Sequence, residues 1–459
     1  MSGLRKKNWT RFYQRLQSGQ LLVLSFFFTI LAGSVLLWLP WSVTDVGISY
    51  IDALFTSTSA VCVTGLSAID PGTTFTLFGK LVLLILIQVG GLGIMTFSVL
   101  MFLTVGRLPA LRDRWLVENM YSQEGRIQVL NLVRTIFIFT LTAEAMGALG
   151  LFTGWVREGM EPGKALWYGV FHSVSAFCNA GFSFFPDNFE GFPGNWWIHL
   201  TTCALIISGG VGFAVLYELF DRFFLRHRHR LSLNTVLVLS TTLFLLAAGA
   251  AGFYLLEAEN TLLGMAPDKC FLASLFQSTT ARTAGYNTIR IASLSNGTLL
   301  MIILLMFIGA SPGSCGGGVR TTSLALLSVF FINRVRGNLR TNIRGRTVPE
   351  ETIGKVIMVI LLGVLAVVCI TLLLSITQEE QIIHPRDRGL FLGYLFESVS
   401  ALGTVGLSMG ITHTLNTAGK LLIIILMFIG RVGLVTLTYG LVRPGKQRGL
   451  EYASEDVMI

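Results

Sequence analysis

Four short blocks of the sequence share one pattern of residue types. They are DALFTSTSAVCVTGLS at 52–67, YGVFHSVSAFCNAGFS at 168–183, ASLFQSTTARTAGYN at 273–287 and GYLFESVSALGTVGLS at 393–408. Each carries a phenylalanine at its fourth residue, passes through small and hydroxylated residues, and reaches a glycine. The interval is ten residues from Phe55 to Gly65, Phe171 to Gly181 and Phe396 to Gly406. From Phe276 to Gly285 it is nine, so the third block needs a one-residue adjustment. Self-similarity of this kind marks a repeated structural unit.

The chemistry open to these blocks is narrow. None pairs a nucleophile with a base or sets two carboxylates together. The six histidines (172, 199, 227, 229, 384 and 413) show no metal-ligand spacing, and the six cysteines form no CxxC pair. What remains is the backbone carbonyl oxygen, a hard ligand that replaces the water around a dehydrated alkali cation. Glycine reaches positive φ without strain, so successive carbonyls can point inward. A short helix before each loop would aim the negative end of its dipole at the ion. The ion-binding candidates are Val63, Thr64 and Gly65; Asn179, Ala180 and Gly181; Thr283, Ala284 and Gly285; and Thr404, Val405 and Gly406.

The elements that hold the blocks follow from composition. Of 459 residues, 53% are hydrophobic and 13% charged, against about 25% charged in soluble domains. Mean hydropathy is +0.68. That excludes a soluble globular, disordered or fibrous protein. Runs at 20–43, 76–105, 128–155, 195–225, 232–257, 296–331, 351–377 and 419–442 are long enough to span a bilayer. The four blocks fall in shorter apolar stretches near 50–62, 166–178, 269–281 and 389–402, which read as re-entrant segments. The fold expected is an all-α integral membrane protein of eight spans and four re-entrant pore loops around a central axis, since irregular backbone at membrane depth must be buried or line a cavity. Of the 34 lysines and arginines, 24 fall on the side that carries both termini. That side is expected to be cytoplasmic. The formal net charge of +9 therefore reports topology, with lipid headgroup contact, and not nucleic acid.

The blocks TGLS, NAGF, TAGY and TVGL resemble degenerate potassium-channel filters. Four span–pore-helix–span units in one chain resemble the Trk/Ktr/HKT superfamily of potassium transporters, above all the membrane subunit of bacterial Ktr systems. The resemblance covers about residues 20–445. It implies potassium as the substrate, because in that family a glycine in every filter repeat goes with potassium selectivity. It leaves sodium as a candidate activator. It also implies a homodimer in the bacterial plasma membrane and a cytosolic ring of nucleotide-binding subunits. No cofactor is expected in this chain, and nucleotide acts only through that partner. The units expected are an arm at 1–19, repeat 1 at 20–106, repeat 2 at 107–225, repeat 3 at 226–346, repeat 4 at 347–442 and a tail at 443–459.

A few residues break the apolar pattern. In MFIGASPGSCGGGVRTTS (306–323), the residues Gly309, Ser311, Pro312, Gly313, Ser314, Gly316, Gly317 and Gly318 break a helix inside a span. The segment 309–318 is expected to lie below the filter as a gate, as the resemblance also implies; a simple kink is the alternative. Arg431 is expected to face carbonyls of that segment and place a positive barrier in the path, with snorkelling to the rim as the alternative. Arg282 is expected to turn away from the axis and support the filter on Glu397, unless it sits at the outer rim. GGLG (90–93) and GGVG (209–212) are expected to be close helix contacts. Glu144 has no assigned role. Two other classes stay open: a secondary transporter of another cation or solute, which would show inverted repeats, and a membrane enzyme, which would need a polar cluster that the sequence lacks.

Overall fold

In lipid a backbone must satisfy its own N–H and C=O groups, so long apolar runs form helices. A computed structural model describes residues 18–44, 47–93, 129–223, 231–338, 340–378 and 389–433. The terminal arm and tail, the basic loop after 93, the basic run 224–230 and the far ends of the spans expected at 76–105 and 419–442 lie outside the described residues. The helices are α1 (Ser18–Trp38), α2 (Tyr50–Val61), α3 (Leu77–Gly91), α4 (Val129–Arg157), α5 (Pro162–Phe177), α6 (Trp196–Val211), α7 (Phe213–Phe223), α8 (Leu233–Glu257), α9 (Pro267–Thr280), α10 (Asn296–Phe307), α11 (Thr321–Val335), α12 (Glu350–Thr377), α13 (Gly389–Gly403) and α14 (Thr417–Val432). A two-residue hairpin, Asn342–Ile343 with Arg346–Thr347, is the one sheet among the described residues.

The stretches expected to be re-entrant are α2, α5, α9 and α13, too short to cross a bilayer. Among the described residues, α4, α8 and α12 are each long and apolar enough to cross one alone. The run 195–225, expected to be one span, is α6 and α7 bent by 104° at Gly212. That glycine has φ +97°. GGVG is thus more than a helix contact: Gly209 crosses the carbonyl of Phe177 closely, whereas Gly212 turns the chain. Gly93 and Gly433 end α3 and α14 with φ +77° and +85°.

The helices form a closed circuit. Each short helix packs against the long helix before it: α2 on α1, α5 on α4, α9 on α8 and α13 on α12. The helix after each short one packs against the next short helix: α3 on α5, α6 on α9, α10 on α13, and α14 back on α2. The crossings repeat in detail. Ser57 Oγ donates to Ile30 O at 2.8 Å, Ser173 Oγ to Glu144 O at 2.6 Å, and Ser278 Oγ to Leu246 O at 2.8 Å. Three residues after each acceptor stands a glycine, Gly33, Gly147 or Gly249, whose missing side chain leaves room for that hydroxyl. Lys420 on α14 pairs with Asp52 on α2 at 2.6 Å. Large apolar side chains such as Phe28, Leu243, Phe244, Leu361 and Leu365 are exposed on the outer faces, as lipid contact requires.

These crossings can be tested. A Cβ on Gly147 would lie 2.5 Å from Ser173 Oγ. Gly147→Val should therefore cost about 1–3 kcal/mol through overpacking and lower the melting temperature of the solubilised protein. Ser173→Ala, which loses one hydrogen bond, should cost about 1 kcal/mol. An unchanged melting temperature for Gly147→Val would contradict the close crossing.

Candidate functional site

At the centre of the circuit the four glycine loops meet. Each leaves its short helix through a residue of positive φ, passes one ordinary residue, and reaches a glycine of positive φ. The pairs are Val63 (+55°) and Gly65 (+90°), Asn179 (+60°) and Gly181 (+67°), Thr283 (+92°) and Gly285 (+78°), and Thr404 (+50°) and Gly406 (+92°). Such conformations are costly for non-glycine residues and persist only where the surroundings impose them. Alternating the hand of the backbone turns successive carbonyls the same way.

The amides of the loops are taken by the short helices. Thr64 N–H donates to Ser59 O (2.8 Å), Ala180 N–H to Ser175 O (2.7 Å) and Val405 N–H to Ser400 O (2.9 Å). Gly65 N–H and Gly406 N–H donate to the hydroxyls of Ser59 and Ser400, each at 3.0 Å. In the third loop Ala284 N–H instead reaches Thr280 O, four residues back rather than five. The nine-residue interval of that block is absorbed there. With these donors engaged behind, the carbonyls before the glycines are left to the neighbouring loops.

The loops touch in order. A Cβ on Gly65 would lie 2.5 Å from Ala180 O; one on Gly181, 2.6 Å from Ala284 O; one on Gly285, 2.5 Å from Val405 O. One on Gly406 would strike Thr64 O and close the cycle. Each glycine is thus required twice, by φ and by its neighbour's carbonyl. All twelve candidate residues lie in this ring. Its non-glycine members Val63, Thr64, Asn179, Ala180, Thr283, Ala284, Thr404 and Val405 are fully buried and none is charged. In the orientation that satisfies its neighbours, the Asn179 amide accepts from Thr283 Oγ1 (3.0 Å) and donates to Ala176 O and Ile206 O. It ties the second loop to the third.

Where the short helices end, the segment between α10 and α11 lies across the ring. Its limbs pair at Ile308 and Val319, and Ala310 N–H donates to Gly317 O (3.3 Å). The bend of α6 seats it: Ser311 N–H donates to Gly210 O and Cys315 N–H to Gly209 O, each 3.1 Å, while Phe213 N–H donates to Gly313 O (3.1 Å). Pro312 O lies beside Gly212. Ser314 Oγ donates to Ser311 O (2.6 Å). Gly317 N–H donates to Thr404 Oγ1 (2.8 Å), and Gly318 N–H to Gly430 O (3.4 Å). A Cβ on Gly316 would lie 2.7 Å from Thr283 Oγ1, and one on Gly309 would meet Gly317 O. The glycines let this segment lie flat against the third and fourth loops.

Two arginines hold it. Arg431, 4% exposed, donates from its two terminal nitrogens to Cys315 O and Gly90 O. One guanidinium thus joins α14, the crossing segment and α3. Arg320, which sequence reasoning missed, donates to Gly316 O (2.7 Å) and Ser311 O (3.4 Å). Its signal was an arginine abutting a helix-breaking run inside an apolar span.

The expected pairing of Arg282 with Glu397 is not formed. Arg282 turns outward to α8, where it donates to Thr242 O (3.4 Å) and Thr242 Oγ1 (3.5 Å). Glu397 accepts from Ser408 Oγ and from Thr412 Oγ1 (3.0 Å). The two residues serve opposite ends of the ring, Arg282 before Gly285 and Glu397 the chain after Gly406. His172 occupies the same place in the second block, one residue after its phenylalanine, and its Nε2 meets Ser183 Oγ at 3.2 Å. That position is polar in all four blocks (Thr56, His172, Gln277, Glu397), a signal that could have found it. Glu144 accepts from Gln88 Nε2 (3.2 Å).

Comparison with known proteins places the chain in a family. The family model described as "TrkH: Cation transport protein" matches residues 10–443. The chain belongs to the TrkH family of cation transport proteins. It is 38% identical over 98% of its length to the Ktr system potassium uptake protein B of Bacillus subtilis, covering 97% of that protein. It is 37% identical to the Ktr system potassium uptake protein B of Vibrio alginolyticus, with 93% of this chain and 91% of that one covered. The potassium transporter TrkH from Vibrio parahaemolyticus has the same fold, with a TM-score of 0.70 at 20% identity over 93% of this chain and 86% of that one. The TrkH family is one of membrane cation transporters and not an enzyme class.

The tie between Thr404 and the crossing segment can be tested. Thr404→Val leaves the Gly317 amide without its acceptor, at a cost of about 1–3 kcal/mol. Cys315, 1% exposed, should then react with a small maleimide at least about fivefold faster in a variant lacking the other cysteines. An unchanged labelling rate would show that the hydroxyl does not hold the segment.

Proposed function

We propose that this chain takes up potassium across the plasma membrane through the carbonyl ring, with the segment 309–318 as its gate. The observation that carries the reading is the closed cycle of uncharged loops, whose donors are spent on the short helices while acceptors crowd the axis. Such a lining suits a dehydrated cation and offers nothing to an anion. Relatives named potassium uptake proteins, similar over nearly the whole chain, support the choice of ion.

In this reading the chain is four span–pore-helix–span units with eight spans and both termini cytoplasmic, α6 and α7 counting as one bent span and α10 and α11 as one broken span. Val63–Gly65, Asn179–Gly181, Thr283–Gly285 and Thr404–Gly406 bind the ion. Arg431 and Arg320 add two positive charges beneath it, a barrier that falls when the segment and its arginines move. Glu397 and His172 position the outer strands of the fourth and second loops, and Arg282 anchors the third. The protein works as a homodimer with a cytosolic nucleotide-binding ring, as the membrane subunit of a Ktr-like system. One relative, 33% identical, is named potassium/sodium uptake protein NtpJ, from Enterococcus hirae. Sodium is therefore the ion to compare, both as substrate and as activator.

Rubidium uptake into vesicles holding the protein should exceed sodium uptake. Gly65→Ser should reduce that preference by about tenfold, roughly 1.4 kcal/mol, because a side chain there displaces Ala180 O. Equal sodium and rubidium flux in the parent protein would refute potassium selectivity. Removing 313–318, or changing Arg431 to Ala, should raise flux severalfold. Unaltered flux in both would sink the gate.

A further inference from the structure

The cation of Arg282 lacks a counter-charge. The residue is 8% exposed, at a depth where a lone charge is expensive. Among the described residues it has no acid partner; the ion pairs there are Arg334–Glu350, Lys355–Glu351 and Lys420–Asp52. A guanidinium carries five N–H donors. Arg282 uses two, both on Thr242 and both at 3.4–3.5 Å, and its Nε has no partner. Arg431 and Arg320 lie against carbonyls at closer range. The end of α9 supplies only a partial negative charge, about half an elementary unit.

Beside this guanidinium lies a partly open cavity of about 20 Å³, lined by Ile206, Gly210, Thr242, Leu246, Thr279 and Ala310. A site of that size holds one small sphere. Its walls are mostly aliphatic, so apart from the arginine they offer few groups to a ligand. A phosphate or carboxylate would need more donors. A monatomic halide needs fewer, is paired by the guanidinium, and finds Nε–H, the spare terminal N–H groups and the Thr242 hydroxyl. We infer that this cavity binds a single chloride ion as the counter-ion of Arg282. The ion would sit against Gly210, whose carbonyl receives Ser311 N–H at 3.1 Å, and against Ala310. It would brace the crossing segment from behind, off the axis of the ring.

The test uses the full chain in detergent or nanodiscs at constant potassium. Replacing gluconate by chloride to about 0.3 M should raise the melting temperature by about 2 °C or more. A structure determined in bromide should show an anomalous peak in the cavity, within contact of the Arg282 guanidinium. Arg282→Gln should abolish the halide dependence. Should that variant fail to fold, Leu246→Phe, which fills the cavity and leaves the arginine, answers the same question by losing the dependence. A melting temperature indifferent to halide, or a cavity holding only water, overturns the inference.

Discussion

Within a bilayer every backbone donor must find an acceptor inside the protein, yet the four glycine loops crowd carbonyls together. The structure reconciles these demands by asymmetry. Amides of the four loops turn back onto serines and carbonyls of the short helices, and the carbonyl before each glycine lies against the glycine of a neighbouring loop. Positive φ at two positions of each loop is what separates donors from acceptors. Everything else in the molecule preserves that separation. The short helices must stop at the right residue, the preceding helices must seat them, and the following helices must hold each one from its other side.

The crossing segment belongs to the same logic. A broken helix exposes donors and acceptors in mid-membrane, and these are paired with the glycine-rich bend of α6, the end of α14 and the hydroxyl of Thr404. Other bonds lie within the segment itself, from Ala310 to Gly317, Ser314 to Ser311 and Arg320 to Gly316. A segment with bonds of its own can exchange its outer partners as a unit, whereas a helix would have to unwind. The guanidinium of Arg431 is the tie that reaches furthest, from α14 to both the segment and α3.

Much of this was legible in the sequence because the blocks repeat. The phenylalanine-to-glycine interval located all four loops. Even the shorter third interval was visible, though not its place in the turn after Thr280. The broken segment was legible because glycine and proline cannot continue a helix. What escaped depended on contacts between distant parts of the chain. The partner of Arg282 lies forty residues upstream on α8, and nothing in the local pattern distinguishes Thr242 from other hydroxyls. The bend at Gly212 escaped because a glycine that allows close approach and one that turns the chain look alike in sequence. The order in which the loops touch is a property of the assembled ring.

That ring closes between its last quarter and its first: Gly406 lies against Thr64 O, α14 packs on α2, and Lys420 reaches Asp52. Chains grow from the N-terminus, and their early parts begin to fold before the rest is made. The first loop must therefore wait, with one flank uncovered, until almost the whole polypeptide has been inserted. A ribosome that stalls anywhere before α14 leaves a membrane protein with an open ring, its first loop lacking the neighbour that Gly406 supplies.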